Sequence, residues 1–195
     1  MATDNYEIIQ PPFTLKFREM SKKELKDYYR WFFQVSPLRL ERLLRAVQST
    51  PGFEDWKPNF KPNSLGALGR WFAAKVETRP RTQQEIDEIK GRSKFPIEIS
   101  NRELTNETFS LAYDIGIYFA GVLKTNHPSL TWEQKLSGTR RYIDYGQPVL
   151  AGFGPVSLNP VRMMVTQAYG LVDGTWTGKR LFELYESWSE DVTMA

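Results

Sequence analysis

Leu25, Tyr28, Tyr29, Phe32 and Phe33 recur every three or four residues, the spacing that gathers side chains on one face of a helix. Ser21 precedes that stripe and Glu24 stands at capping-box distance from it, so a helix is expected to open at Ser21. Ser36 followed by Pro37 has the form of a fresh N-cap with proline at the first helical position, which predicts a separate helix bearing Leu40, Leu43, Leu44 and Val47 and ending at Pro51 and Gly52. Leu65, Leu68, Trp71, Phe72 and Val76 form the next helical face, opened by Ser64 and stopped before Pro80. Thr82 and Glu85 repeat the capping box ahead of a short polar helix that Gly91 ends. Thr105 caps a long helix running to about Asn126, in which Ala112, Gly116, Ala120 and Gly121 leave room for a close neighbour. Asn159 and Pro160 begin another helix, Gly170 to Gly178 breaks the pattern, and Leu181, Phe182, Leu184, Tyr185 and Trp188 mark the last.

Period-two alternation is rarer. Phe13, Leu15 and Phe17 predict a short first strand, and Phe95, Ile97 and Ile99 a second whose Pro96 suits an edge. Leu130 to Gln134 and Gln147 to Phe153 read as strands able to pair as a hairpin around a polar stretch. The segment from Pro51 to Asn63 is rich in proline and asparagine yet holds Phe53, Trp56 and Phe60; three large aromatics argue for an ordered loop folded back on the body, not a linker. Helices with segregated strands predict a mainly helical α+β fold, several helices around a small, mostly antiparallel sheet, in one globular domain over residues 1–195 with 1–12 as an extended N-terminal segment.

Composition narrows the classes. A chain of 195 residues that is 41% hydrophobic and 14% aromatic has the means to build a core and is not a disordered chain. Without cysteine there is no disulfide framework, thiolate zinc site or cysteine nucleophile, which points to the cytoplasm as the compartment. Met1 to Gln10 carries Asp4 and Glu7 and no apolar run, unlike a signal peptide, and Phe109 to Leu123 is interrupted by Asp114, so no membrane association is expected. A net charge of +3, with bases interleaved among acids, argues against nucleic acid as the partner.

Few residues invite chemistry. The single histidine, His127, stands before Pro128 at a helix end, where it serves a cap; a triad built on it would need Ser129 or Ser157, and neither has nucleophile-elbow glycines. Glu85, Asp87, Glu88 and Lys90 have the residue types of a carboxylate–lysine nuclease site, but on a helix whose exposed face carries charge in any case. No cofactor or metal is expected, since the phosphate-loop and dinucleotide spacings are missing. Asp114 lies inside an apolar helix, where it is either paired with an arginine or placed to bind a ligand, and Tyr118 falls on the same face to form part of a pocket with it. Trp132, Arg140, Arg141, Tyr142, Asp144 and Tyr145 combine the residue types that dominate protein interfaces, and are the candidate partner-binding group; the other reading is a hairpin tip packed on its own domain.

The text Asp114-Ile-Gly-Ile-Tyr-Phe-Ala, with Leu130-Thr-Trp132 and Gln147-Pro-Val-Leu150, resembles small bacterial α+β immunity-type proteins encoded beside secreted polymorphic toxins. The resemblance covers the second half of the chain. It implies a protein that binds a partner toxin and occludes its active surface. Many immunity proteins against nucleases are acidic, whereas this chain is mildly basic, which turns the expectation away from a nuclease toxin. The expected function is thus a non-enzymatic protein-binding module, with a carboxylate-based hydrolase and a nucleic-acid binder as alternatives.

Overall fold

The apolar stripe that starts at Leu25 continues through Phe32 and Leu43 to Val47 on one unbroken helix, α1 (Lys22–Gln48). Ser21 and Glu24 close the capping box in both directions. The expected break at Ser36 and Pro37 does not occur. Pro37 sits inside α1, where Ser36 Oγ donates to the Phe32 carbonyl at 2.6 Å, and burial of residues on both sides keeps the helix in one piece.

The computed structural model describes residues 6–92 and 95–194, with side chains to Val192. After α1 come α2 (Ser64–Lys75), β1 (Thr78–Pro80), α3 (Gln83–Arg92), β2 (Arg102–Leu104), α4 (Asn106–Asn126), β3 (Thr131–Gln134), β4 (Pro148–Phe153), β5 (Val156–Leu158), α5 (Pro160–Val172) and α6 (Arg180–Met194). Among the described residues, six helices and two small antiparallel sheets make the fold mainly helical α+β. Thr105 caps α4 as expected, its hydroxyl accepting from the Thr108 amide, and Asn159 does the same for Arg162 at the start of α5. The segment from Pro51 to Asn63 does fold back, with Trp56 buried and its Nε1 donating to the Ser64 carbonyl at 3.1 Å.

Two expected strands are absent. Phe13 to Phe17 is irregular and leads into a turn at 17–19; Leu15 takes a φ of 57°, and the Phe13 and Phe17 rings pack on Tyr28 instead of facing a sheet partner. Phe95, Ile97 and Ile99 alternate, but the segment has no regular structure and is largely exposed; the ladder forms beyond it, where β2 pairs antiparallel with β1, Thr78 opposite Leu104. β3 and β4 pair as the expected antiparallel hairpin, Trp132 opposite Leu150, and β5 adds a third strand that the sequence did not reveal. Met1 to Asn5 of the expected N-terminal segment lies outside the described residues; Tyr6 to Pro12 is free of regular structure.

α4 is the centre of the molecule, buried without interruption from Ser110 to Ala120. Its small residues do what their size suggests. A Cβ on Gly116 would stand 2.9 Å from the Pro160 carbonyl oxygen, so α5 approaches at a distance only glycine permits. One on Gly121 would meet the Phe60 ring at 2.7 Å. No helix among the described residues is long and apolar enough to cross a membrane.

Candidate functional site

The segment 135–147 joins β3 to β4 and is held down at its base. Gly146, at φ 75°, lies so near α1 that a Cβ would fall 2.5 Å from Leu25 Cδ2. Gln134 Nε2 donates to the carbonyls of Leu25 at 2.6 Å and Gly146 at 2.9 Å, and the Gly146 amide donates to Lys135 O at 3.0 Å. The tip is therefore a fixed projection at the start of α1.

Its side chains divide between the interior and water. Tyr145 is buried with Met20, Leu25 and Tyr28 in a core of its own, which Phe13, Phe17 and Tyr142 flank. Asp144 is buried and accepts from Arg162 Nε and Nη2 at 2.9 and 2.8 Å and from Asn159 Nδ2 at 2.9 Å. Tyr142 is half-buried, its hydroxyl 2.9 Å from Ser157 Oγ, with Lys135 Nζ 5.0 Å above its ring. Trp132 is half-buried against Phe32 and Phe33 at centroid distances of 5.5 and 5.4 Å. Only Arg140 and Arg141 of the six candidates are exposed. Packing on the body of the protein thus describes Asp144 and Tyr145, and the outer surface belongs to the arginines.

Two residues that the sequence reading passed over belong to this surface. Ile143 is 55% exposed, although Tyr142 before it is half-buried and Asp144 after it is buried. Arg18 reaches the tip from the turn before α1: its Nη2 donates to Arg141 O at 3.1 Å, and Arg140 Nη1 donates back to Arg18 O at 2.9 Å. Ile143 had a signal, as an apolar residue in a polar run; Arg18 had none.

Asp114 is paired. Arg39 of α1 donates from Nε to Oδ1 at 2.8 Å and from Nη2 to Oδ2 at 2.7 Å, and both side chains are 0% exposed. The Tyr6 hydroxyl donates to Oδ2 as well, while its ring lies 5.6 Å from the guanidinium carbon. Burial pushes the Asp114 carboxyl up to about 6, against the lowering effect of Arg39 and Tyr6. The same burial raises the Tyr6 phenol. Arg39 Nη2 also donates to Glu7 O at 3.0 Å, and the Ile9 amide donates to Ser110 Oγ at 3.0 Å, which ties residues 6–10 across α1 and α4. An open cleft of about 570 Å³ runs beside this strap, lined among others by Trp31, Arg39, Arg42 and Glu107.

Tyr118 points elsewhere: its oxygen is 2.7 Å from Ser64 Oγ and accepts from the Phe60 amide at 3.3 Å. Neither it nor Asp114 lines that cleft, nor a smaller apolar one of about 330 Å³ between Phe33, Phe60 and Trp132. The two side chains are thus held by different partners, Asp114 by Arg39 and Tyr118 by Ser64 and Phe60.

The α3 acids do not converge. Glu85 accepts from Arg79 at 2.9 Å and from the Thr82 amide at 2.8 Å, and the first of these contacts holds its carboxyl down at about 2. Asp87 and Glu88 accept from Gln83 and Gln84 at one helical turn. Among the described residues no group of three or more acids and histidines is placed to hold a metal. His127 Nε2 lies 2.9 Å from Ser189 Oγ, not from Ser129 or Ser157, and the Ser189 hydroxyl donates to Tyr185 O at 2.7 Å.

Comparison with protein families, with curated proteins and with solved structures returns no match.

Proposed function

We propose that this chain is a non-enzymatic protein-binding module of the immunity type, which neutralises a partner toxin by covering its active surface. The observation that supports the reading is the tip itself: a segment fixed by Gly146 against Leu25, on which Arg140 and Arg141, met by Arg18, are exposed, as is Ile143. Arginine beside an apolar side chain on a pre-ordered surface is the composition of interface hot spots, because little entropy is lost when such a surface docks. The acids that an enzyme reading would recruit, Asp114 and Glu85, already have their oxygens occupied by Arg39 and Arg79.

The test is quantitative recovery of the tagged full chain from the cells that make it, as wild type and as the Arg18→Glu/Arg140→Glu/Arg141→Glu variant. One protein should be retained in near-stoichiometric amount by the wild type and lost with the variant. That protein, produced alone, should arrest growth, and co-expression should restore it. Identical recoveries from both forms would reject the reading.

A further inference from the structure

Most arginines of this protein have a carboxylate to themselves. Arg45 meets Glu41, Arg79 meets Glu85, and Arg162 meets Asp144. At the tip the pattern fails. Arg18 and Arg140 spend a hydrogen bond each on the other's neighbouring main chain, at 3.1 and 2.9 Å. Neither they nor Arg141 nor Lys135 has a carboxylate within ion-pair distance among the described residues.

The acids of the two segments that meet here are all engaged. Segments 13–27 and 135–147, which meet here, contain Glu19, Glu24, Asp27 and Asp144 as their acids. Lys16 takes Glu19 at 3.6 Å, the Ser21 amide takes Glu24 at 2.7 Å, Arg30 takes Asp27, and Arg162 draws Asp144 into the interior. The same segments add Lys22, Lys23 and Lys26 at the exposed start of α1. The modest excess of base over acid in the whole chain is thus concentrated in these two segments.

We propose that this face binds an acidic segment of the partner protein, its Asp and Glu carboxylates received by Arg18, Arg140 and Arg141 and an apolar side chain resting on Ile143. This rests on the protein-binding reading above and names the partner's chemistry. A nucleic acid fits less well. Strand binding needs open aromatic faces on which bases stack, whereas Tyr145 is buried beneath Arg140, 5.8 Å from its ring, and Tyr142 lies beneath Lys135. Complementary charge speeds encounter and selects the partner, and salt weakens it.

The test is fluorescence anisotropy on the full chain with three labelled probes: a peptide of Glu-Glu-Leu repeats, its Gln-Gln-Leu counterpart, and a thymidine oligonucleotide. The acidic peptide should bind saturably and the glutamine peptide not at all, with affinity falling about tenfold or more in Arg18→Glu/Arg140→Glu/Arg141→Glu. The charge-matched Lys57→Glu/Lys61→Glu/Arg70→Glu variant, altered at exposed positions away from the tip, should bind as the wild type does. Equal loss in both variants, or an oligonucleotide bound as tightly as the acidic peptide, overturns the proposal. If the acidic peptide does not bind while a photo-crosslinker at Ile143 still captures a partner, the acidic partner is wrong and the protein-binding reading stands; failure of both ends both.

Discussion

Arg39 of α1 and Asp114 of α4 face each other through two hydrogen bonds, at 2.8 and 2.7 Å, with neither side chain reaching water. Removing one member leaves the other as an uncompensated buried charge, which costs about 3–5 kcal/mol. Asp114→Asn should therefore lower the unfolding free energy by that order in urea melts. Arg39→Met/Asp114→Leu, which buries no charge, should recover most of the loss; a double variant no more stable than the single one would contradict this.

The same carboxyl gives a pH dependence of defined sign. Its value in the folded chain, about 6, exceeds the ordinary 3.8, so the folded state binds the proton more tightly. The stability this group contributes is full below pH 3.8 and is lost as pH rises through about 6. Glu85 acts in the opposite sense: held down at about 2 from 4.5, it contributes above pH 4.5, and the contribution disappears as pH falls through about 2. Carbon-13 carboxyl titrations should place the Asp114 midpoint near 6 and the Glu85 midpoint near 2; an Asp114 midpoint below 3.8 would reverse the first sign.

Gly138 and Gly146 lie in the same segment, both at positive φ, but only Gly146 has a neighbour where a Cβ would go. Gly138→Ala should cost about 1–2 kcal/mol, the backbone term alone. In Gly146→Ala the contact with Leu25 adds about 1–3 kcal/mol of overpacking and should loosen the tip. Thermal melts together with amide exchange at 140–146 separate the two; equal losses would mean that the Gly146–Leu25 approach does not fix the projection.

Much of the fold was written in local signals. Ser21 with Glu24 and Thr105 with Thr108 set helix starts through bonds that span one turn, so a reader of the chain finds them unaided. The two missing strands show the limit of alternation: a strand exists only where another backbone accepts its hydrogen bonds. Phe13 to Phe17 has ring partners on α1 instead, and Thr78 to Pro80 pairs with a segment beyond Phe95 to Ile99. At the tip the residue types were legible and their directions were not, because Asp144 is turned inward by Arg162 and Arg18 arrives from 122 residues away.

Pro37 illustrates the same tension between local and distant forces. A proline inside a helix removes a hydrogen bond and crowds the preceding turn, at about 3 kcal/mol. It is exposed in α1, so packing holds the helix straight through it without depending on its ring. Pro37→Ala should raise the unfolding midpoint, by up to about 3 kcal/mol of stability; a drop would show that the proline shapes the packing of Phe32 and Leu43.

The projecting face of Arg18, Arg140, Arg141 and Ile143 is best tested by its proximity to a partner in living cells. A benzophenone side chain introduced at Ile143, and at the exposed Val172 on α5 as a reference, reports what each position touches on irradiation. One discrete crosslinked protein from position 143, lost when the three arginines become glutamates and absent from position 172, is the predicted result. The same diffuse products from both positions would contradict it.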